Sequence, residues 1–322
     1  GAQVVEGPAL ASLIATFGGV IVPGAVISLP QPVTGPEGPL TLTCSFLCLC
    51  SGYYDYDEAH APVFAGQDAF AGRVVHPQFW PEDLDVAGRT VVVIGSGATA
   101  VTLVPELART AERVTMLQRS PSYVVSRPAR DGIADALRRV LPARAAFAVT
   151  RWKNVVLGAV FFQLARRRPA KVKARLLAMV RDQLGPDYDI ATHFTPRYDP
   201  WDQRLCLVPD ADLFQAIKAG RATVETAPID RFVADGVRLS DGRTLPADII
   251  VTATGLKLKL AGGIDISVDG TPVNFAGRLQ YRGTMFDGVP NLAQTFGYIN
   301  ASWTLKAELT AAYVCRLLNA MR

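Results

Sequence analysis

Thr90-Val91-Val92-Val93-Ile94-Gly95-Ser96-Gly97-Ala98-Thr99-Ala100 is the stretch that decides the fold. Its first five residues form an apolar, β-branched run of the kind found in a parallel strand buried on both faces. Gly95 permits a tight turn. Gly97 lacks a Cβ, so a pyrophosphate can approach the backbone, and Ala100 is small enough for a helix to pack on the strand. The helix that follows would offer free N–H groups and its positive dipole end to the phosphates, with Ser96, Ala98, Thr99 and Val101 around the turn. Val101, Leu103, Val104 and Leu107 continue the apolar side of that helix, and Arg113–Leu117 reads as the second strand of a βαβ unit. A lone G-x-G-x-x-A is weak evidence, so the flanking sequence matters.

The end of the second strand selects the nucleotide. An NAD site carries an acid there, about 20 residues past the glycines, for the ribose 2′-hydroxyl. This chain has Gln118-Arg119-Ser120 instead. A guanidinium and a hydroxyl suit a 2′-phosphate, so Arg119 and Ser120 point to NADP(H). Upstream at a fixed distance stands Phe70-Ala-Gly72-Arg-Val-Val-His76-Pro-Gln-Phe-Trp80-Pro81. Taken singly, His76 or Trp80 would more often be a core residue; five matches in register are not chance.

Phe70, Gly72, His76, Trp80 and Pro81 together resemble the fingerprint of type I Baeyer–Villiger monooxygenases, a branch of the flavin-containing monooxygenases. The N- and S-oxidising branch shares the F-x-G-x-x-x-H core, and the Trp-Pro ending leans toward Baeyer–Villiger enzymes. The resemblance extends over about residues 39–322, through His76–Asp85, Met116–Pro121, Pro200–Pro209 and Gly297–Lys306. It implies an α/β flavoprotein with two dinucleotide-binding domains, the cofactors FAD and NADP(H), and oxygen insertion next to a ketone carbonyl, or sulfur oxidation, through a C4a-peroxyflavin. It also implies that Arg204, in Trp201-Asp-Gln-Arg204-Leu-Cys, is the permanent cation beside that anionic intermediate. The competing reading pairs Arg204 with Asp199 or Asp202 as a structural bridge. Cys206 reads as a buried thiol.

The resemblance also implies domain limits. Residues 1–38 do not match. Residues 39–69 would be a remnant of the FAD domain, 70–247 the NADPH domain with a helical insertion at about 131–200, and 248–322 the return to the FAD domain with a terminal helix. Gly52 and Tyr54, Gly255 in Asp248-Ile-Ile-Val-Thr-Ala-Thr-Gly255, and Asn300 in Gly297-Tyr-Ile-Asn300 would face the flavin, with Tyr298 and Trp303 as further wall candidates. A second G-x-G-x-x-G is missing from the sequence. The expectation is therefore a chain truncated at both ends, its first 38 residues of foreign or frame-shifted origin. Two rivals remain: an N/S-oxidising flavin monooxygenase, and an inactive NADP-binding fragment. Residues 9–30 lack charge, but Pro23, Pro30 and several glycines argue against a membrane span there.

At 322 residues and 49% hydrophobic content the chain can bury a sizeable core. Five cysteines, three of them at 44, 48 and 50 on one expected strand face, argue against a disulfide framework and suit a reducing cytoplasm. With three histidines and no Cys-x-x-Cys, no metal site is expected. Residues 127–182 hold fourteen Lys/Arg against three Asp, a local +11 in a chain of net charge +4, leaving −7 elsewhere. Helices are expected there at 133–140, 152–165 and 171–184. Such a segment is either a solvated face over a packed insert, the commoner case, or an amphipathic surface in peripheral contact with an anionic membrane. The aromatics do not interleave with the basic residues, which argues against nucleic acid. The expected partners are a small ketone or organosulfur substrate and O₂.

Overall fold

The structure, a computed structural model, describes residues 44–298 and 303–321, and the backbone of three short strands at Ala25–Ser28, Thr34–Gly35 and Gly38–Pro39. The expected site residue Asn300 and the uncharged run at 9–22 lie outside the described residues. The chain divides into two compact units, one from His60 to Gly255 and one from the segments on either side.

The His60–Gly255 unit is built on a parallel sheet. Its strands are β1 (Arg73–Val75), β2 (Thr90–Ile94), β3 (Arg113–Gln118), β6 (Ala222–Thr226) and β7 (Ile249–Thr252), and α1 (Ala98–Leu107) crosses from β2 to β3. The spatial order is β6-β3-β2-β7-β1, parallel throughout. The chain runs outward from β2 through β3 to β6, then returns to pair β7 on the other side of β2. That reversal makes the carboxyl ends of β2 and β7 a topological switch point, where open α/β sheets bind ligands.

The alternation of the strands sorts their side chains into two cores. Val91, Val93, Ile249 and Val251 point to one face, where Ala100, Val104 and Phe214 cover them. Val92, Ile94 and Ile250 point to the other, onto an antiparallel meander (Ile229–Val233, Gly236–Leu239, Thr244–Pro246) that supplies Phe232, Val237 and Leu239. Phe70 belongs to this second core, edge-on to Phe232 at 6.3 Å. The parallel strands are thus buried on both sides, which explains why their sequences are nearly continuous in apolar residues.

The expected NADPH-domain limits of 70–247 are narrower than the unit. Ile249–Thr252, expected with the return to the FAD domain, instead pairs with β1 and β2 inside this sheet. All four of its residues are buried, as a central strand paired on both sides requires.

After β3 comes β4 (Tyr123–Arg127), then α2 (Gly132–Val140), α3 (Ala143–Arg167), α4 (Pro169–Leu184) and a single turn at Ile190–His193. β5 (Leu205–Pro209) then pairs in parallel with β4, and α5 (Asp212–Lys218) leads to β6. The helical insertion is therefore framed by its own two-stranded sheet. The insertion packs through Leu176 and Val180 of α4, but α3 keeps only Ala146 and Ala165 buried, and much of what it shows to solvent is apolar rather than polar.

In the other unit, Leu47–Leu49 pairs in parallel with Leu292–Gln294, and their core holds Ile266, Phe286 and Val289. A terminal helix, α6, spans Trp303–Met321. The strand is shorter than expected: Cys44 precedes it across a bend, so only Cys48 and Cys50 share a face. A hydrogen bond with Cys50, helped by burial, pushes the Cys48 thiol up, while the same bond favours the Cys50 thiolate.

Close backbone approach sets the glycines of the sheet. A Cβ on Gly72 would lie 2.1 Å from the Asp248 carbonyl oxygen and 2.7 Å from the Phe70 ring. Gly72→Ala should cost about 1–3 kcal/mol by overpacking. Gly158→Ala, inside α3 with nothing within 4 Å, should gain up to about 1 kcal/mol in helix propensity. Urea unfolding midpoints of the two variants should therefore move in opposite directions.

Candidate functional site

The site candidates converge on the carboxyl edge of the five-stranded sheet. Gly95 ends β2 with φ +140°, its N–H donating to the Leu117 carbonyl at 2.8 Å. A Cβ there would meet the Ala253 carbonyl oxygen at 2.3 Å, so the approach of β2 to β7 demands glycine. Gly97 differs: its φ is −83°, and nothing lies within 4 Å of where a Cβ would stand. The protein does not need a glycine at 97. The space beside it is open to a ligand.

Gly97 is the N-cap of α1, and no side chain caps the helix. The N–H groups of Ala98, Thr99 and Ala100 have no acceptor among the described residues, and the helix dipole adds partial positive charge at that end. Thr99 and Ala98 are exposed, whereas Ala100 and Val101 turn into the core. The Val101 N–H is already bonded to the Gly97 carbonyl at 3.1 Å, so Val101, expected at the ligand, serves packing instead.

Ser96 ties the turn to the neighbouring strand end. Its Oγ donates to the Ser120 carbonyl at 3.2 Å and lies 3.1 Å from Ser122 Oγ. Arg119 and Ser120 are exposed, and Arg119 has no carboxylate partner among the described residues. Gln118, by contrast, is buried: its amide donates to the His193 carbonyl at 2.8 Å and to Thr226 Oγ1 at 2.9 Å. One residue of the Gln-Arg-Ser run is thus spent on the insertion and two face outward.

The fingerprint separates into parts. Phe70 and Gly72 shape the meander side of the sheet. His76 follows β1, so it stands on the same carboxyl edge. Its Nδ1 accepts from the Gln78 N–H at 3.2 Å, capping the turn Pro77–Phe79. Its Nε2 is buried without a hydrogen bond. Burial lowers its pKa below the ordinary 6.5, the Gly255 backbone opposing and His60 adding a little. An orphaned ring nitrogen at this edge is a ready partner for a polar ligand. Trp80 is half-exposed and Pro81 follows it on the loop. Gly255, φ +111° with open space around it, ends the segment after β7.

Arg204 lies on the loop before β5. Asp202 pairs with Arg166 of α3, and Arg204 has no carboxylate partner among the described residues, so the structural-bridge reading fails. The loop is held from two sides. Tyr123 donates to the Tyr198 carbonyl at 2.8 Å, and Tyr198 donates to the Arg204 carbonyl at 3.2 Å. Trp201, left-handed at φ +80°, a conformation that costs of order 1–3 kcal/mol, meets Phe161 and Phe162 of α3 edge-on at 5.3 and 5.6 Å. Cys206 is buried, its thiol 3.7 Å from the Ser96 carbonyl oxygen, which brings the Arg204 strand against the glycine turn. Burial raises the Cys206 pKa, as expected of an inert thiol. No sequence signal announced the Ser96–Cys206 contact or the tyrosine pair, because both depend on β4 pairing with β5.

In the other unit, Gly52 is left-handed at φ +67° and its carbonyl accepts from Gln294 Nε2 at 3.1 Å. Ser51 Oγ and Gln294 Oε1 beside it are buried without partners. Tyr54 donates to Tyr53, and Tyr53 stacks on Trp303 at 5.0 Å, so Trp303 is part of an aromatic cluster and Tyr298 is exposed. A depression of about 710 Å³ lined by Gly72, Arg73, Asp83 and Asp248 opens at the amino ends of the strands, at the opposite edge of the sheet from the glycine turn.

Comparison with known proteins agrees with this geometry. Residues 44–153 match the family model described as flavin-binding monooxygenase-like. The chain is 55% identical over 281 residues to the FAD-containing monooxygenase EthA of Mycobacterium tuberculosis, covering 87% of this chain and 58% of that protein. It is 48% identical over 282 residues to the probable FAD-binding monooxygenase AlmA of Acinetobacter baylyi, covering 87% and 56%. Among solved structures, OTEMO in complex with FAD and NADP matches with a TM-score of 0.67 at 20% identity, over 88% of this chain and 62% of that one. The open form of cyclohexanone monooxygenase matches at 0.61 and 18%, over 84% and 62%. The fold is thus the two-dinucleotide-domain α/β fold of those enzymes. The chain spans less than two thirds of the length of these relatives.

The environment of His76 makes a pH prediction. Its folded pKa is depressed, so below pH 6.5 the unfolded chain takes up a proton that the folded one resists. That contribution to stability is present above 6.5 and is lost as pH falls toward the folded pKa. Between about pH 7 and pH 5, the unfolding midpoint of the wild type should fall further than that of His76→Gln.

Proposed function

We propose that this chain, whose residues 44–153 belong to the flavin-binding monooxygenase-like family, carries the NADPH-binding unit of a Baeyer–Villiger-type monooxygenase. The substrate class is a small ketone or an organosulfur compound, with O₂ as co-substrate. The observation that carries the reading is the coincidence, on one sheet edge, of an open Gly97, an uncapped α1 and an Arg119 free of carboxylates.

The dinucleotide would be held as follows. The N–H groups of Ala98 and Thr99 receive the pyrophosphate at the amino end of α1. Arg119 and Ser120 receive the 2′-phosphate, the guanidinium giving a forked donor and the hydroxyl a second. Ser96, bonded to Ser120, keeps the two sites at a fixed spacing. His76 Nε2, neutral and buried, is available as a hydrogen-bond partner farther along the edge. NADPH supplies the hydride when bound. Arg204, braced through its carbonyl by Tyr198, supplies a permanent positive charge where negative charge develops on oxygen.

FAD, named in the relatives, would supply O₂ activation when bound. Ser51, Gly52 and Gln294 offer unsatisfied polar groups that fit part of such a ligand. The sequence has one dinucleotide glycine turn, so no second pyrophosphate cradle of that type is available for FAD in it. The second reading is an NADP-binding polypeptide without oxygenase activity of its own.

Gly97→Val should abolish NADPH binding, at least about 100-fold in Kd, by filling the phosphate approach, while costing no more than about 1 kcal/mol of stability from the poorer N-cap, because nothing in the protein lies within 4 Å of that Cβ. Titration of intrinsic fluorescence and urea unfolding test the two halves together. For the oxygenase reading, the chain is mixed with FAD, desalted and scanned in the visible. A retained flavin band with ketone-dependent NADPH oxidation supports it; a colourless protein that still binds NADPH supports the second reading.

A further inference from the structure

We propose that the helical insertion docks in the plane of an anionic lipid bilayer through the outer face of α3. The inference is independent of the nucleotide reading. Among the described residues α3 is the helix long and apolar enough to cross a membrane by length and composition, yet almost none of it is buried. An apolar helix is ordinarily covered, by protein or by lipid. At 3.6 residues per turn, Ala148, Trp152, Val155, Val156 and Ala159 fall on one side, and Trp152 is 67% and Val156 52% exposed. No charged residue occurs between Lys153 and Arg166.

Other residues of α3 tie it to its own unit: Lys153 turns to Asp131, Phe161 and Phe162 meet Trp201, and Arg166, at the C-terminal end of the stripe, pairs with Asp202. α2 leads into α3 and α4 leaves it after one residue, so both ends return to the same folded body. Such a helix lies along an interface rather than across it.

Charge identifies the occupant. The apolar face is bounded by Arg139 and Arg144 at one end and Arg167 at the other, none with a carboxylate partner among the described residues. The whole segment 127–182 carries +11. Basic ends, an apolar stripe and a tryptophan at its centre match the headgroup and acyl boundary of an anionic membrane. A second copy would bring two strongly positive surfaces together, which opposes self-association through this face.

The test uses the purified chain with vesicles of phosphatidylcholine, with and without phosphatidylglycerol. Wild type should co-sediment with the anionic vesicles, more weakly at high salt, and its tryptophan emission should shift to shorter wavelength; Trp152→Phe should lose that shift. Val156→Glu, exposed and so compatible with folding, should bind at least about tenfold more weakly with an unchanged unfolding midpoint. Absence of binding to anionic vesicles overturns the proposal. So does equal binding by Val156→Glu, which would assign the contact to another part of the chain. A wild-type oligomer dispersed by Val156→Glu without vesicle binding would show that the face joins copies of the chain, and would also overturn it.

Discussion

The close approach of β2 to β7 governs the rest of the His60–Gly255 unit. The two strands run parallel in the middle of the sheet, buried on both faces, and the chain reverses its direction of growth between them. Their carboxyl ends come so near that the Ala253 carbonyl leaves room only for a hydrogen at Gly95. A backbone that leaves β2 in that conformation turns sharply and starts α1 with its first N–H groups unsatisfied. The polar edge that results owes its position to apolar packing: Val91 and Val93 on one side, Val92 and Ile94 on the other, hold the turn in register. The two glycines of the turn have different reasons to be glycine. Gly95 is fixed by the protein, whereas Gly97 has space that nothing in the protein uses.

The insertion has two sides with two consequences. Inward, Phe161, Phe162 and Arg166 of α3 hold Trp201 and Asp202, the residues that set the loop of Arg204. The left-handed Trp201 is tolerated because aromatic contact and an ion pair determine it from outside. Outward, α3 carries an apolar face bordered by arginines. A single helix thereby joins an exposed apolar surface to the loop that carries Arg204, through side chains in direct contact.

Much of this was legible in the sequence. The strand, turn and helix at 90–107 followed from residue type alone, because β-branched runs and glycine spacing are local properties. The Gln-Arg-Ser ending of β3 announced Arg119 and Ser120, but not that Gln118 would be buried against His193 and Thr226; that depends on residues 75 and 108 positions away. Ile249–Thr252 reads as a strand from its residues, yet its place beside β2 does not, since pairing between segments about 160 residues apart leaves no periodic trace. Val101 looked like part of the turn and is core. The basic segment is the least legible. Its charges are visible in the chain, but that so little of α3 is covered, and that Lys153 and Arg166 pair with aspartates outside the helix, depends on tertiary placement.

The central claim is that the carboxyl edge is a site for a 2′-phosphorylated dinucleotide, with Arg119 reading the phosphate. The most direct measurement is a titration of the wild-type chain with NADPH and with NADH, each repeated with Arg119→Ala. A charge-assisted contact of about 1.5–3 kcal/mol predicts NADPH binding at least about tenfold tighter than NADH, with the difference removed in the variant. Equal affinities in the wild type, or a preference that survives Arg119→Ala, would contradict the account.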